Sequence, residues 1–131
     1  MTKQVLLIDD DPIFHVIFTR MIKRVSYELS VKSFPNGEIG LEFLNENYSI
    51  HDQYVILLDI NMPIINGWQF LDVLQNKGIA LNNNLSIYIL TSSTDLDDVE
   101  QSRTYNFVKD IISKPLTASS LKRVLKTLTK D

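Results

Sequence analysis

The stretch Val5-Leu6-Leu7-Ile8-Asp9-Asp10-Asp11-Pro12 decides how the rest of the chain is read. Its four consecutive apolar residues lack the alternation of a half-solvated strand, so they predict a short strand covered on both faces. Three acids end it at once. Asp11-Pro12 then has the pattern of a helix start, a capping carboxylate followed by proline at the first helical position. Beyond it Phe14, Ile17, Phe18, Met21, Ile22 and Val25 recur at steps of three and four, which predicts an amphipathic helix with one broad buried face.

This strand and helix unit repeats along the chain. Val55–Leu58 and Ile87–Leu90 are further continuous apolar runs, Ile111-Ile112 is a weaker one, and Leu29–Phe34 alternates only loosely, which places it at a sheet edge. Between the runs the spacing is helical. Asn36 caps a second helix carrying Ile39, Leu41, Phe43 and Leu44, Gly67–Lys77 forms a third with Phe70, Leu71 and Leu74 inward, and Asp95–Tyr105 gives a shorter fourth. The last follows Pro115, with Leu121, Val124, Leu125 and Leu128 inward and Lys122, Arg123, Lys126 and Lys130 outward. Five such units predict an α/β fold: a doubly wound five-stranded parallel sheet in the order 2-1-3-4-5 with five helices. No low-complexity linker or repeat interrupts residues 1–131, which are expected to form a single domain with nothing beyond it.

Composition narrows the function classes. The 131 residues hold 13 Lys and Arg against 16 Asp and Glu, a net charge of −3, so no global charge draws the chain to nucleic acid or to an anionic membrane, and neither is expected as a partner. The absence of cysteine excludes disulfides and thiolate-bound zinc. The first apolar run is too short for a secretion signal. The longest uncharged stretch, Gly78 to Thr94, carries Asn82-Asn83-Asn84 and falls short of the roughly 20 apolar residues of a membrane helix, so a cytoplasmic location is expected.

Ligands of such sheets bind beyond the carboxyl ends of the strands. There the chain places Asp9-Asp10-Asp11, Asp59, Thr91-Ser92-Ser93 and Ser113-Lys114-Pro115. Two carboxylates about 5 Å apart repel by roughly 3 kcal/mol at an effective dielectric near 20. Lys114 alone is too little to offset Asp9, Asp10 and Asp59, and an all-oxygen site selects a hard divalent ion such as Mg²⁺. A metal beside a lysine and a threonine hydroxyl fits a phosphoryl group, whose oxygens all three can share. Gly37, Gly40, Gly67 and Gly78 are scattered and form no phosphate-binding loop, which disfavours nucleotide hydrolysis and leaves a carboxylate as covalent acceptor.

Taken together, Asp9-Asp10, the run Asp59-Ile60-Asn61-Met62-Pro63-Ile64-Ile65-Asn66-Gly67, Thr91-Ser92 and Lys114-Pro115 resemble the receiver domain of two-component response regulators, the CheY-like chemotaxis-regulator type, over essentially the whole chain. The resemblance implies a stand-alone signalling phosphoacceptor rather than an enzyme with turnover. It implies Asp59 as the residue phosphorylated by a sensor histidine kinase or histidine phosphotransfer protein. It assigns Mg²⁺ to the side chains of Asp10 and Asp59, to the main-chain carbonyl of Asn61 and, largely through water, to Asp9. Lys114 would pair with the aspartate or a phosphoryl oxygen, Thr91 would donate its hydroxyl, and the Lys114-Pro115 bond would be cis. A downstream protein target would meet the face built by the fourth helix, fifth strand and last helix, near Tyr105 and Ile111.

Two positions depart from the pattern. Ile111, three before Lys114, stands where the family usually carries Tyr or Phe, and Ser92 stands where Ala or Gly is frequent. Two other classes stay open at this point. One is a phosphohydrolase resembling the haloacid dehalogenase superfamily, Mg²⁺-dependent, with Asp9 as nucleophile. The other is an interaction module that keeps the fold without phosphorylation. Read singly, the three acids are also an ordinary helix cap. Met62-Pro63 and Gly67 read as loop structure, Trp68 as helix packing, and His15 and His51 as surface residues.

Overall fold

The computed structural model describes residues 2–26, 29–92 and 96–129. Strands β1 (Lys3–Ile8), β2 (Ser30–Phe34), β3 (Gln53–Asp59), β4 (Leu85–Thr91) and β5 (Val108–Ser113) alternate with helices α1 (Pro12–Val25), α2 (Gly37–Asn47), α3 (Gly67–Asn76), α4 (Leu96–Ser102) and α5 (Ala118–Thr129). A single 3₁₀ turn at Ile79–Asn82, which the apolar pattern does not signal, joins α3 to β4. The five strands pair in parallel in the order 2-1-3-4-5, so the expected fold class holds.

The continuous apolar runs are the inner strands. All of β4 and all but the first residue of β3 are buried, whereas β2 and β5, at the two edges, expose about half of theirs. Each sheet face has its own core. Val5, Leu7, Val55, Leu57 and Leu90 pack under Phe18 and Ile22 of α1 and Leu121, Val124, Leu125 and Leu128 of α5. Leu6, Ile8, Ile56, Leu58 and Ile89 pack under Leu44 of α2 and Phe70, Leu71 and Leu74 of α3.

Local signals set the helix starts. The Asp11 carboxylate accepts from Ile13 N–H, and Asn36 accepts from Ile39 N–H at 2.9 Å. Asn66 and Gln69 form a reciprocal capping box at the head of α3, and the Thr117 hydroxyl accepts from Ser120 N–H at 3.1 Å ahead of α5.

Three expectations need correction. The broad buried face of α1 is narrower than its apolar pattern: Phe18 and Ile22 are buried, but Ile17 stays 48% exposed and Val25 40%. Ile17 lies about 100° around the helix from Phe18, past the edge of the surface that α5 and the sheet cover. Of the four apolar residues expected to face inward in α2, only Leu44 is buried; Leu41 and Phe43 are half-buried and Ile39 is exposed, because Gly40 makes the close approach to the sheet in their place. The fourth helix ends at Ser102, and Tyr105 follows it in a turn. Ser93, Asp95 and Lys130 lie outside the described residues.

Gly67 packs against the end of β3. A Cβ there would lie 2.7 Å from Ile60 Cδ1, 2.8 Å from Ile60 Cα and 2.9 Å from the Asp59 carbonyl oxygen, so backbone would have to move. Gly67→Ala is expected to destabilise the fold by about 1–3 kcal/mol, the usual range for overpacking. Urea unfolding reads this as a lower midpoint at unchanged slope; an unchanged midpoint would contradict the contact.

Candidate functional site

Parallel strands deliver their carboxyl ends to one edge of the sheet, and the chemistry-bearing residues gather there. Asp9 and Asp10 follow β1 directly, Asp59 is the last residue of β3, Thr91 the last of β4, and Lys114 comes immediately after β5. Carboxylate oxygens of Asp9, Asp10 and Asp59 all lie within 4.8 Å of one another. The Lys114 ammonium stands 2.8 Å from Asp9 Oδ2 and 3.7 Å from Asp59 Oδ2. Thr91 is buried and its main-chain carbonyl accepts from Lys114 N–H at 2.8 Å, which fixes the lysine backbone against the end of β4. The Lys114-Pro115 bond is cis.

Asp9 is fully enclosed and both its carboxylate oxygens are engaged, Oδ1 by Asp11 N–H at 2.9 Å and Oδ2 by Lys114. Asp59, 5% exposed, is held more weakly: its Oδ1 accepts from Asn61 N–H at 3.2 Å and its Oδ2 stands 3.7 Å from Lys114. Asp10 is exposed at the rim. Burial above all, then the neighbouring charge of Asp9, pushes the Asp59 carboxyl from 3.8 up to about 6, against the opposing pull of Lys114 and the Asn61 N–H. Burial alone would lower the pKa of Lys114. The hydrogen bond to Asp9 and the fields of Asp9, Asp59 and Asp10 together raise it. The all-oxygen donor set, crowded with negative charge around one ammonium, fits a hard divalent cation.

The loop after β3 is shaped by its own sequence. Met62 is buried beneath it, Ile64 takes a left-handed backbone with φ of 71°, and Gly67 N–H donates to the Ile60 carbonyl at 2.9 Å. Asn61, exposed, follows Asp59 by two residues.

Two residues at the site escape the apolar pattern. His15 is not a plain surface residue: it is half-buried, and its Nε2 lies 2.6 Å from the Asp9 main-chain carbonyl. Phe14, which the helical stripe marks only as core, also places its ring 5.4 Å from the Lys114 ammonium, a cation–π contact. Nothing in local spacing signals either contact; both arise where α1 crosses the strand ends. His51 is exposed as expected.

The partner face also needs correction. Tyr105 is buried, stacked on Trp68 with ring centroids 6.3 Å apart, set edge-on to Phe107 and donating its hydroxyl to Asp72 Oδ1 at 2.6 Å. It ties the turn after α4 to α3 instead of facing a target, and Trp68 packs as expected. Ile111 is half-buried, paired with Ile89 of β4.

The sequence profile of the response regulator receiver domain matches residues 5–126. A two-component response regulator from Cytophaga hutchinsonii superposes with a TM-score of 0.86 at 32% identity, over 99% of this chain and 98% of that one. A chemotaxis protein of Vibrio cholerae shares the fold, with a TM-score of 0.79 at 19% identity over 97% of this chain and 98% of its own. Curated relatives include a two-component response regulator of Oryza sativa subsp. japonica, 26% identical over 92% of this chain, and the 3′,5′-cyclic-nucleotide phosphodiesterase regA of Dictyostelium discoideum, 27% identical over 95%. The chain spans only 19% and 15% of their lengths. A receiver profile over most of the chain, the 2-1-3-4-5 sheet and the acids, threonine and lysine at its carboxyl edge agree: the chain belongs to the response regulator receiver domain family.

Proposed function

We propose that this receiver accepts a phosphoryl group on Asp59 from a phosphohistidine of a sensor kinase or phosphotransfer protein, and that the modified domain signals through protein contact. The observation that carries the reading is the convergence of three carboxylates from two strand ends on one ammonium. Asp59 suits the acceptor role better than Asp9. Among the described residues its carboxylate has a single N–H donor within hydrogen-bonding distance and stands 3.7 Å from Lys114, whereas both oxygens of Asp9 are already bonded and the side chain is sealed from solvent. That same engagement of Asp9, with membership of the receiver family, leaves the hydrolase alternative without support.

In the transfer a carboxylate oxygen of Asp59 bonds to phosphorus as the phosphorus–nitrogen bond of the donor breaks, and the electron pair returns to the imidazole. Asp9, Asp10, Asp59 and the Asn61 carbonyl would hold Mg²⁺, which when bound neutralises charge on the phosphoryl oxygens. Lys114, held by Asp9 and by the Phe14 ring, supplies a fixed positive charge beside the acceptor. Thr91, at the end of the neighbouring strand, supplies a hydroxyl for a phosphoryl oxygen.

For the donor, we assign the apolar strip beside the site. Ile13 and Ile17, one helical turn apart on α1, are 69% and 48% exposed, and Ile17 shares a groove with Phe14, Lys114, Pro115 and Leu116. Apolar surface next to the reacting carboxylate is where a donor helix must come close. The target would meet the α4, β5 and α5 side, now without Tyr105 as a contact.

Three outcomes follow. Acetyl phosphate with Mg²⁺ is expected to add one phosphoryl group by intact-mass measurement, and Asp59→Asn to abolish it; unchanged labelling in Asp59→Asn, or hydrolysis of p-nitrophenyl phosphate that depends on Asp9, overturns the reading. Ile17→Glu is expected to slow transfer from a phosphohistidine donor about tenfold or more, as loss of an interface anchor does, while leaving acetyl phosphate labelling intact. Equal slowing of both would place Ile17 in the chemistry rather than in docking.

The third concerns pH. Because the folded state binds the Asp59 proton more tightly than the unfolded chain, stability is fully present below the unfolded value of 3.8 and is lost as pH rises through about 6. The rise from 3.8 to about 6 corresponds to about 3 kcal/mol at neutral pH. With a chelator present, Asp59→Asn should therefore be more stable than the parent at pH 7.5, and the gain should shrink as pH falls toward 4. A gain independent of pH in urea titrations would remove Asp59 as its source.

A further inference from the structure

We propose that His15 is a positioning residue of the site: by donating its Nε2–H to the Asp9 main-chain carbonyl, it sets the peptide from which Asp10 extends toward the cation. The inference rests on the reading of the acidic cluster as a Mg²⁺-dependent phosphoacceptor site.

The Asp9 carbonyl sits in a gap between two hydrogen-bonding systems. The β1 ladder ends at Ile8, paired with Phe34 of β2 and Leu58 of β3. Helix α1 opens with Pro12, which has no N–H to offer, and its first turn is served by the Asp11 carbonyl, which accepts from His15 N–H at 3.3 Å. Asp9 itself is fully buried. A buried carbonyl must find a donor, and the His15 ring supplies one at 2.6 Å. Since a carbonyl can only accept, the proton at that contact is on Nε2.

With this bond Asp9 is held at every polar atom. Its N–H donates to the Phe34 carbonyl at 3.2 Å, Oδ1 accepts from Asp11, Oδ2 from Lys114, and the carbonyl from His15. The peptide joining Asp9 to Asp10 is planar, so fixing the Asp9 nitrogen and oxygen also fixes the Cα of Asp10. Asp10 is exposed, and among the described residues no hydrogen bond or ion pair orients its side chain. The backbone beneath it is what directs it toward Asp9 and Asp59. His15 does this from the end of the first turn of α1, so the helix that caps on Asp11 also braces the strand end before it. Ligand-supporting contacts of this kind change metal affinity without touching the metal.

The test compares His15→Gln, which keeps an N–H donor at the end of an unbranched chain, with His15→Met, of the same length and without a donor. His15→Phe is a second donor-less variant in case Met fails to fold, with circular dichroism confirming the fold of each. Mg²⁺ dissociation constants are measured by calorimetry on the phosphate-free protein, and acetyl phosphate labelling at a Mg²⁺ concentration below saturation. His15→Met or His15→Phe is expected to weaken Mg²⁺ and slow labelling roughly tenfold, and His15→Gln to stay within about twofold of the parent. A donor-less variant that binds Mg²⁺ like the parent overturns the proposal, even if it melts earlier, because the bond is then merely structural. So does a His15→Gln as impaired as His15→Met. A parent protein that binds Mg²⁺ but takes no phosphoryl group sinks the acceptor reading instead, while the Mg²⁺ constants still decide the role of His15.

Discussion

The ion pair between Lys114 and Asp9 joins groups 105 residues apart, and the arrangement of the site depends on it. Asp9 is buried at the end of β1, beside a second buried carboxylate at the end of β3. Charges of one sign in a low-dielectric crevice are tolerated only when a fixed opposite charge faces them. Lys114 provides it because β5 runs parallel to β4 at the sheet edge and ends at the same level, with Thr91 binding the lysine backbone. One ammonium does not balance three carboxylates. The surplus shows in Asp59, whose carboxyl holds its proton up to about 6, and it explains why a divalent cation belongs in such a crevice.

Division of labour among the acids follows from their surroundings rather than from their chemistry, which is the same. Asp9 is bonded on all sides and acts as the anchor of the lysine. Asp59 keeps one modest hydrogen bond and a longer ion pair to Lys114, and Asp10 stands open at the rim. Asp11 leaves the cluster to cap α1, so one acidic run serves both the site and the helix that walls it.

Much of the fold was legible locally. Continuous apolar runs marked β1, β3 and β4 because strands buried on both faces cannot alternate, and caps at Asp11 and Asn36 marked helix starts because orphan N–H groups need acceptors. Asp9, Asp10, Asp59, Thr91 and Lys114 stood out because each follows or ends an apolar run. Legibility failed where a residue's role depends on what lies across from it. Ile17 reads as core yet is exposed, Tyr105 reads as surface yet is stacked on Trp68, and His15 reads as solvated yet braces Asp9.

Sequence alone thus determined the alternation of strands and helices, the strand-end positions of the acids, threonine and lysine, and the family resemblance that these carry. Those are properties of spacing along the chain, which hydrophobic period and capping chemistry impose within a few residues. Tertiary structure decided which acid is sealed and which is available, which side of α1 stays apolar and uncovered, and which helix atom completes the Asp9 carbonyl. Those depend on burial and on hydrogen bonds between elements far apart in sequence, and no local pattern encodes a distance across the sheet edge.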